Sequence, residues 1–173
     1  MKRNSLRIAT ATFCLLTLTA TGWTQTATPL FYIARSKNAN KVYYEARLME
    51  TGTLDTIQPI HAYWILWAKD STGATHEELN EIEKKLAFGF KISDCTPTSC
   101  AFKLAAFRNR AIEVNLHGKT PCAKMNVSGK VAYLKKIFVV SSEGMLIPRV
   151  SSVTLYGNDT ASGTEIHEVI TQR

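Results

Sequence analysis

Apolar and polar residues alternate along most of this chain, the period-two pattern of strands with one buried face. In residues 42–48, Val42, Tyr44, Ala46 and Leu48 share one face, and Tyr43, Glu45 and Arg47 the other. Residues 30–37 form a similar aromatic and branched run. Asn38-Ala39-Asn40 between them is a turn signal, because Asn tolerates positive φ. Together they predict an antiparallel hairpin. Residues 60–69 alternate as well, with Ile60, Ala62, Trp64 and Leu66 set against His61, Tyr63, Ile65 and Trp67. Both sides are bulky, which predicts a strand covered on both faces.

The period changes once. Thr75 with Glu78 three residues on forms a capping-box pattern. Leu79, Ile82 and Leu86 then follow at helical spacing, and Gly89 stands where a helix C-terminus would fall. This predicts one amphipathic helix lying on a sheet. After it the period returns to two, over residues 90–92, 101–107, 111–116, 123–127, 131–140, 146–156 and 165–170. Arg108-Asn109-Arg110, His117-Gly118-Lys119, Ser128-Gly129, Ser142-Glu143-Gly144 and Gly157-Asn158-Asp159 are read as the turns between them. Short connections favour antiparallel neighbours. The expected fold is mainly β: about nine strands in an antiparallel, up-and-down, barrel-like or strongly curved sheet with one amphipathic helix.

The first residues do not fit this pattern. Lys2, Arg3 and Arg7 precede an uncharged, mostly apolar run over residues 8–20, and Ala20-Thr21-Gly22 supplies small residues before Trp23. That layout predicts a signal peptide over residues 1–22 and an exported, periplasmic or secreted protein. Residues 23–29 read as a short polar leader, and residues 30–173 as a single β-rich domain. No run in the mature chain is long enough to span a membrane as a helix. The formal charge of +7 shrinks with processing. Loss of three basic residues and no acidic one leaves 18 basic against 14 acidic side chains, or +4, an ordinary value for a soluble domain.

Export makes a disulfide permissible for Cys95-Thr-Pro-Thr-Ser-Cys100, where Pro97 helps the chain turn. Cys122 is left over, as a buried small residue, an alternative partner for Cys95 or Cys100, or a reactive thiol. One Cys pair without a second Cys/His pair does not predict zinc.

Three segments resemble, in order, a bacterial family called domain of unknown function 4833: FYIARSKNANKVYYEA (31–46), PIHAYWI (59–65) and IEKKLAFGF (82–90). The resemblance spans roughly residues 30–170. It implies one exported domain and carries over no catalytic residue, because the family has no assigned activity.

The candidate ligand-binding residues are Arg35, Lys37, Tyr63 and Trp64, read as an aromatic pocket with a cationic mouth for a small anionic or amphipathic ligand. The bland alternatives are a solvated turn and a filled core. His61, His76, His117 and His167 show no metal or catalytic spacing, so neither a metal nor a cofactor is expected. No glycine-rich phosphate loop and no aromatic-basic motif for nucleic acid occurs. The leading expectation is a non-enzymatic domain binding a small ligand or an envelope partner. Its rivals are an envelope hydrolase using His61 or Cys122, and a purely structural or interaction module.

Overall fold

The computed structural model describes residues 26–67, 73–141 and 149–171. Eleven strands form one strongly curled sheet, ordered β4-β3-β2-β1-β9-β8-β7-β6-β5, with β10 and β11 branching from β9. The expected signal peptide and the Ser142-Glu143-Gly144 turn lie outside the described residues.

The first half is an antiparallel meander: β1 (Thr26–Arg35), β2 (Asn38–Leu48), β3 (Ile60–Trp67) and β4 (Ala74–Glu78). Part of the expected leader, from Thr26, is already strand. The first turn falls at Ser36-Lys37, and Asn38-Ala39-Asn40 belong to β2. The second half runs β5 (Phe90–Cys95), β6 (Ser99–Leu104), β7 (Phe107–His117), β8 (Thr120–Val127), β9 (Lys130–Ser141), β10 (Val150–Asp159) and β11 (Glu165–Thr171). All its neighbours are antiparallel. Ser128-Gly129 makes the expected turn, with φ of 51° and 79°, the two positive values of a type I′ hairpin. Arg108-Asn109-Arg110 and Gly157-Asn158-Asp159, expected as turns, lie within β7 and β10.

One contact joins the halves and departs from an up-and-down order: β1 runs parallel to β9, from Tyr32↔Lys136 to Arg35↔Val139. β9 spends residues 130–133 on β8 and 136–139 on β1, while β10 covers its other edge. This double use explains its length. Bulges in β1, β5, β9 and β10 and a longer irregularity in β7 bend the sheet, as an extra residue on one strand does. Opposite the β9 bulge at Lys135, Gly157 is required, since a Cβ there would stand 2.7 Å from the Tyr133 carbonyl oxygen.

The inward positions form one core. Phe31 stacks on Tyr44 at 4.6 Å, Phe90 meets Phe102 edge-on at 5.4 Å, and Val42, Ile112, Val114 and Leu155 are fully buried around them. Near the start of β7, Arg110 forks onto Glu168 of β11, which also accepts from the Ser128 amide. The Arg110 hydrogen bonds hold the Glu168 carboxyl below the usual carboxylate range.

The helix differs most from expectation. Residues Ala74–Glu78 are β4, so Thr75 and Glu78 do not cap anything. The capping box is Asn80 with Glu83, and it opens a single turn, α1 (Glu81–Glu83), followed by a π-helical turn over Lys84–Phe88. The widening of that turn destroys the i, i+3, i+7 stripe. Leu79 is buried before the helix starts, whereas Ile82 and Leu86 are 70% and 73% exposed. What anchors the segment is Tyr44, whose buried hydroxyl donates to the Phe88 carbonyl. Burial pushes that hydroxyl far above the ordinary tyrosine range.

Candidate functional site in the open seam

The two meanders do not close on each other. β4 pairs with residues 63–67 of β3 and leaves Ile60, His61 and Ala62 beyond its end. On the other side of the gap, β5 pairs with β6. The helical segment crosses between them. A cleft of about 410 Å³ lies in this seam. Ile57, Ile60, Leu79, Phe90 and Ile92 give it apolar walls, and Arg47, Lys84 and Lys85 give it positive charge. The loop before β3 fixes one rim: the Asp55 carboxylate accepts from the Ile57 and Gln58 amides, and Gln58 in turn holds Arg47.

His61 stands in the cleft wall between two carboxylates. β2 and β3 place Glu45 directly opposite it, and His61 Nδ1 lies 2.9 Å from Glu45 Oε1. Its Nε2 lies 2.9 and 3.0 Å from the two oxygens of Glu78, on β4. His61 and Glu45 are largely buried, with side-chain exposures of 17% and 13%, whereas Glu78 is 63% exposed. The hydrogen bond to His61 holds the Glu78 carboxyl below its usual range. Tyr63 packs beside the ring, and its hydroxyl is raised first by burial and then by Glu45. His76 completes the group, with Nε2 3.9 Å from Glu78. Among the described residues, no three His, Cys or carboxylate side chains are placed to share a metal ion.

The four residues expected to form a pocket fall in three places. Arg35 and Trp64 meet on the inner face, the guanidinium carbon 4.8 Å from the indole centroid. Trp64 is only 5% exposed and donates from Nε1 to Glu83 at 3.1 Å. Burial lowers the Arg35 pKa, and Glu83 opposes that shift. Tyr63, one residue from Trp64 on a strand, points to the opposite face, into a row with Tyr43 and Tyr32. Lys37 is exposed in the β1–β2 turn. In the sequence, Glu45 and Arg47 read only as one face of a strand, and Glu78 only as part of a capping pattern; nothing there joins them, or Lys84 and Lys85, to His61. The usable signal was alternation: it placed Glu45 and His61 on outward positions of neighbouring strands, and only the register was lacking.

Cys95 and Cys100 are paired in register across the β5–β6 hairpin, both as free thiols. Burial first, and then the neighbouring Cys95, push the Cys100 thiol up to about 12. Cys122 pairs with Asn115, whereas Cys100 pairs with Val114. It therefore sits on the opposite face of the sheet and cannot reach Cys100.

Among the described residues, no helix is long and apolar enough to cross a membrane. No curated protein and no solved structure matches the chain. A family model described as a domain of unknown function, DUF4833, matches residues 31–169, which is most of the chain, and the protein belongs to that family.

Proposed function

We propose that this is an exported binding domain that holds a small amphipathic anion in the seam cleft and does no chemistry on it. The carrying observation is the composition of that cleft, in which apolar walls meet Arg47 and Lys85, with Lys84 paired to Glu81 beside them. Apolar lining with a few placed charges is how small-molecule sites gain affinity and orientation. The hydrolase reading has one point in its favour, since His61 stands in a cleft within hydrogen-bond reach of carboxylates. Yet both its nitrogens are engaged, and the described residues lining the cleft include no Ser, Thr or Cys to act as nucleophile. A structural or interaction module needs no such cleft.

The probe is 8-anilinonaphthalene-1-sulfonate, an apolar dye with a permanent negative charge, followed by its own fluorescence at pH 6. Saturable one-site binding is expected. Arg47→Ala and Lys85→Ala are each expected to weaken it about tenfold, the usual loss of one charge-assisted contact. Unsaturable binding, or binding indifferent to both substitutions, contradicts the reading.

Export carries its own test. In an oxidising compartment Cys95 and Cys100 are proposed to join, the signal peptide having been removed after Gly22. The intact mass of the exported protein is expected to begin at Trp23 and to lack two hydrogens, which return on reduction. A full-length, fully reduced chain contradicts both statements.

A further inference from the structure

Both nitrogens of His61 face carboxylates, and an ionised carboxylate can only accept. A neutral imidazole has one N–H and can satisfy one of the two. A protonated ring satisfies both, and the distances of 2.9 Å on each side are those of a ring donating twice. We propose that His61 is a proton-operated latch that sets the charge of the cleft, so that the domain holds an anion when the ring is protonated and releases it when the ring is neutral. This rests on the cleft reading above and adds its regulation.

The two carboxylates differ in a way that decides which bond breaks. Glu45 is largely buried between β1 and β3, behind the ring, and leaving it with only the Tyr63 hydroxyl as partner is costly. Glu78 lies at the end of β4 and is mostly exposed, so water can replace the imidazole there. On losing a proton the ring keeps its Nδ1–H on Glu45. Nε2 then turns a lone pair toward Glu78, and that side chain leaves.

The charges facing the ring come from every neighbouring element. β2 supplies Glu45 and Arg47, β3 Tyr63, and β4 His76 and Glu78; the helical segment supplies Lys84 and Lys85 across the cleft. In the protonated state, the Glu78 charge is spent on His61, and Arg47 and Lys85 are left for a ligand, while Lys84 is held by Glu81 at 2.9 Å. In the neutral state, one positive charge has gone and a free carboxylate stands at the mouth. Together these are one unit of charge, and it repels an anion. His76 also approaches Glu78, but at 3.9 Å and with half its side chain exposed it is a weaker partner.

The test has two readouts. The first needs no ligand: ¹⁵N NMR of the histidine rings from pH 5 to 8.5, the range in which histidines titrate. At the acid end, His61 is expected to carry protons on both nitrogens. At the alkaline end it is expected to keep only that on Nδ1, while the Glu78 carboxyl signal moves with the same midpoint. The second readout is anilinonaphthalene sulfonate, whose charge is constant over this range. Its affinity is expected to fall about tenfold from pH 5.5 to 8, the effect of roughly one unit charge at a few ångströms in a partly solvated site.

Glu78→Gln is exposed and should fold. It is expected to bind the dye at both pH values with less than threefold difference. A wild-type affinity that is flat across the range overturns the latch. So does a pH effect kept in full by Glu78→Gln, or a Glu78 signal that ignores the ring. Absence of dye binding at every pH would sink the cleft reading instead, and the ring spectra would still decide whether the proton moves as described.

Discussion

Phe102→Ala is expected to destabilise the protein by about 4 kcal/mol, the usual cost of truncating a fully buried aromatic residue. Phe102 is 0% exposed and is the point where the two halves of the sheet share a core. Its ring meets Phe90 from the second meander at 5.4 Å and Phe31 from the first at 6.5 Å. The parallel β1–β9 contact is short, with four paired residues on β1. Much of the cohesion between the halves therefore comes from these rings. A chemical denaturation curve checks the figure, with the midpoint expected to fall and the slope to stay near that of the wild type. A loss below about 1 kcal/mol would show that the halves are held together elsewhere.

The second large effect is expected at Gly89. Its φ of −69° suits any residue, so conformation is not the constraint. Space is: a Cβ there would stand 2.1 Å from the Lys84 carbonyl oxygen, which accepts the Gly89 amide and closes the π-helical turn. Gly89→Ala must push that turn open. Opening it displaces Lys84 and Lys85, and it moves the Phe88 carbonyl away from the Tyr44 hydroxyl. A loss of about 3 kcal/mol is expected, at the upper end for overpacking, because the obstacle is backbone. Dye binding is expected to weaken several-fold in the same variant, since two of its cations ride on the turn. Stability at the wild-type level would mean that the turn opens without cost and that its shape does not matter to the cleft.

The sequence carried the strands better than their partners. Alternation in Val42, Tyr44, Ala46 and Leu48 marked the buried face of β2 because burial acts on each residue locally. Nothing local records that β1 lies parallel to β9, a pairing about 100 residues apart. The helix shows how two local readings compete. Thr75/Glu78 and Asn80/Glu83 are both S/T/N-x-x-E patterns, and pairing of Ala74–Glu78 with β3 decided between them. Ile82 and Leu86 form a buried stripe only at regular α-helical spacing, and the π-helical turn removes that spacing. The site was half visible. His61 stood out in its aromatic strand, but Glu45 lies 16 residues before it and Glu78 17 after. Only the β2–β3–β4 register brings three such distant residues together. Arg35 and Trp64 do come together, and Tyr63 does not, for the reason that makes strands legible at all: neighbouring residues face opposite ways.

The cleft exists only because the sheet is joined at β1–β9 and open between β3 and β5. Interstrand nuclear Overhauser contacts measure this directly. Backbone contacts are expected between Tyr32–Arg35 and Lys136–Val139 in parallel register, with none linking Ile60–Ala62 to Phe90–Ile92. A continuous ladder across the latter pair would close the barrel, fill the cleft and contradict the account.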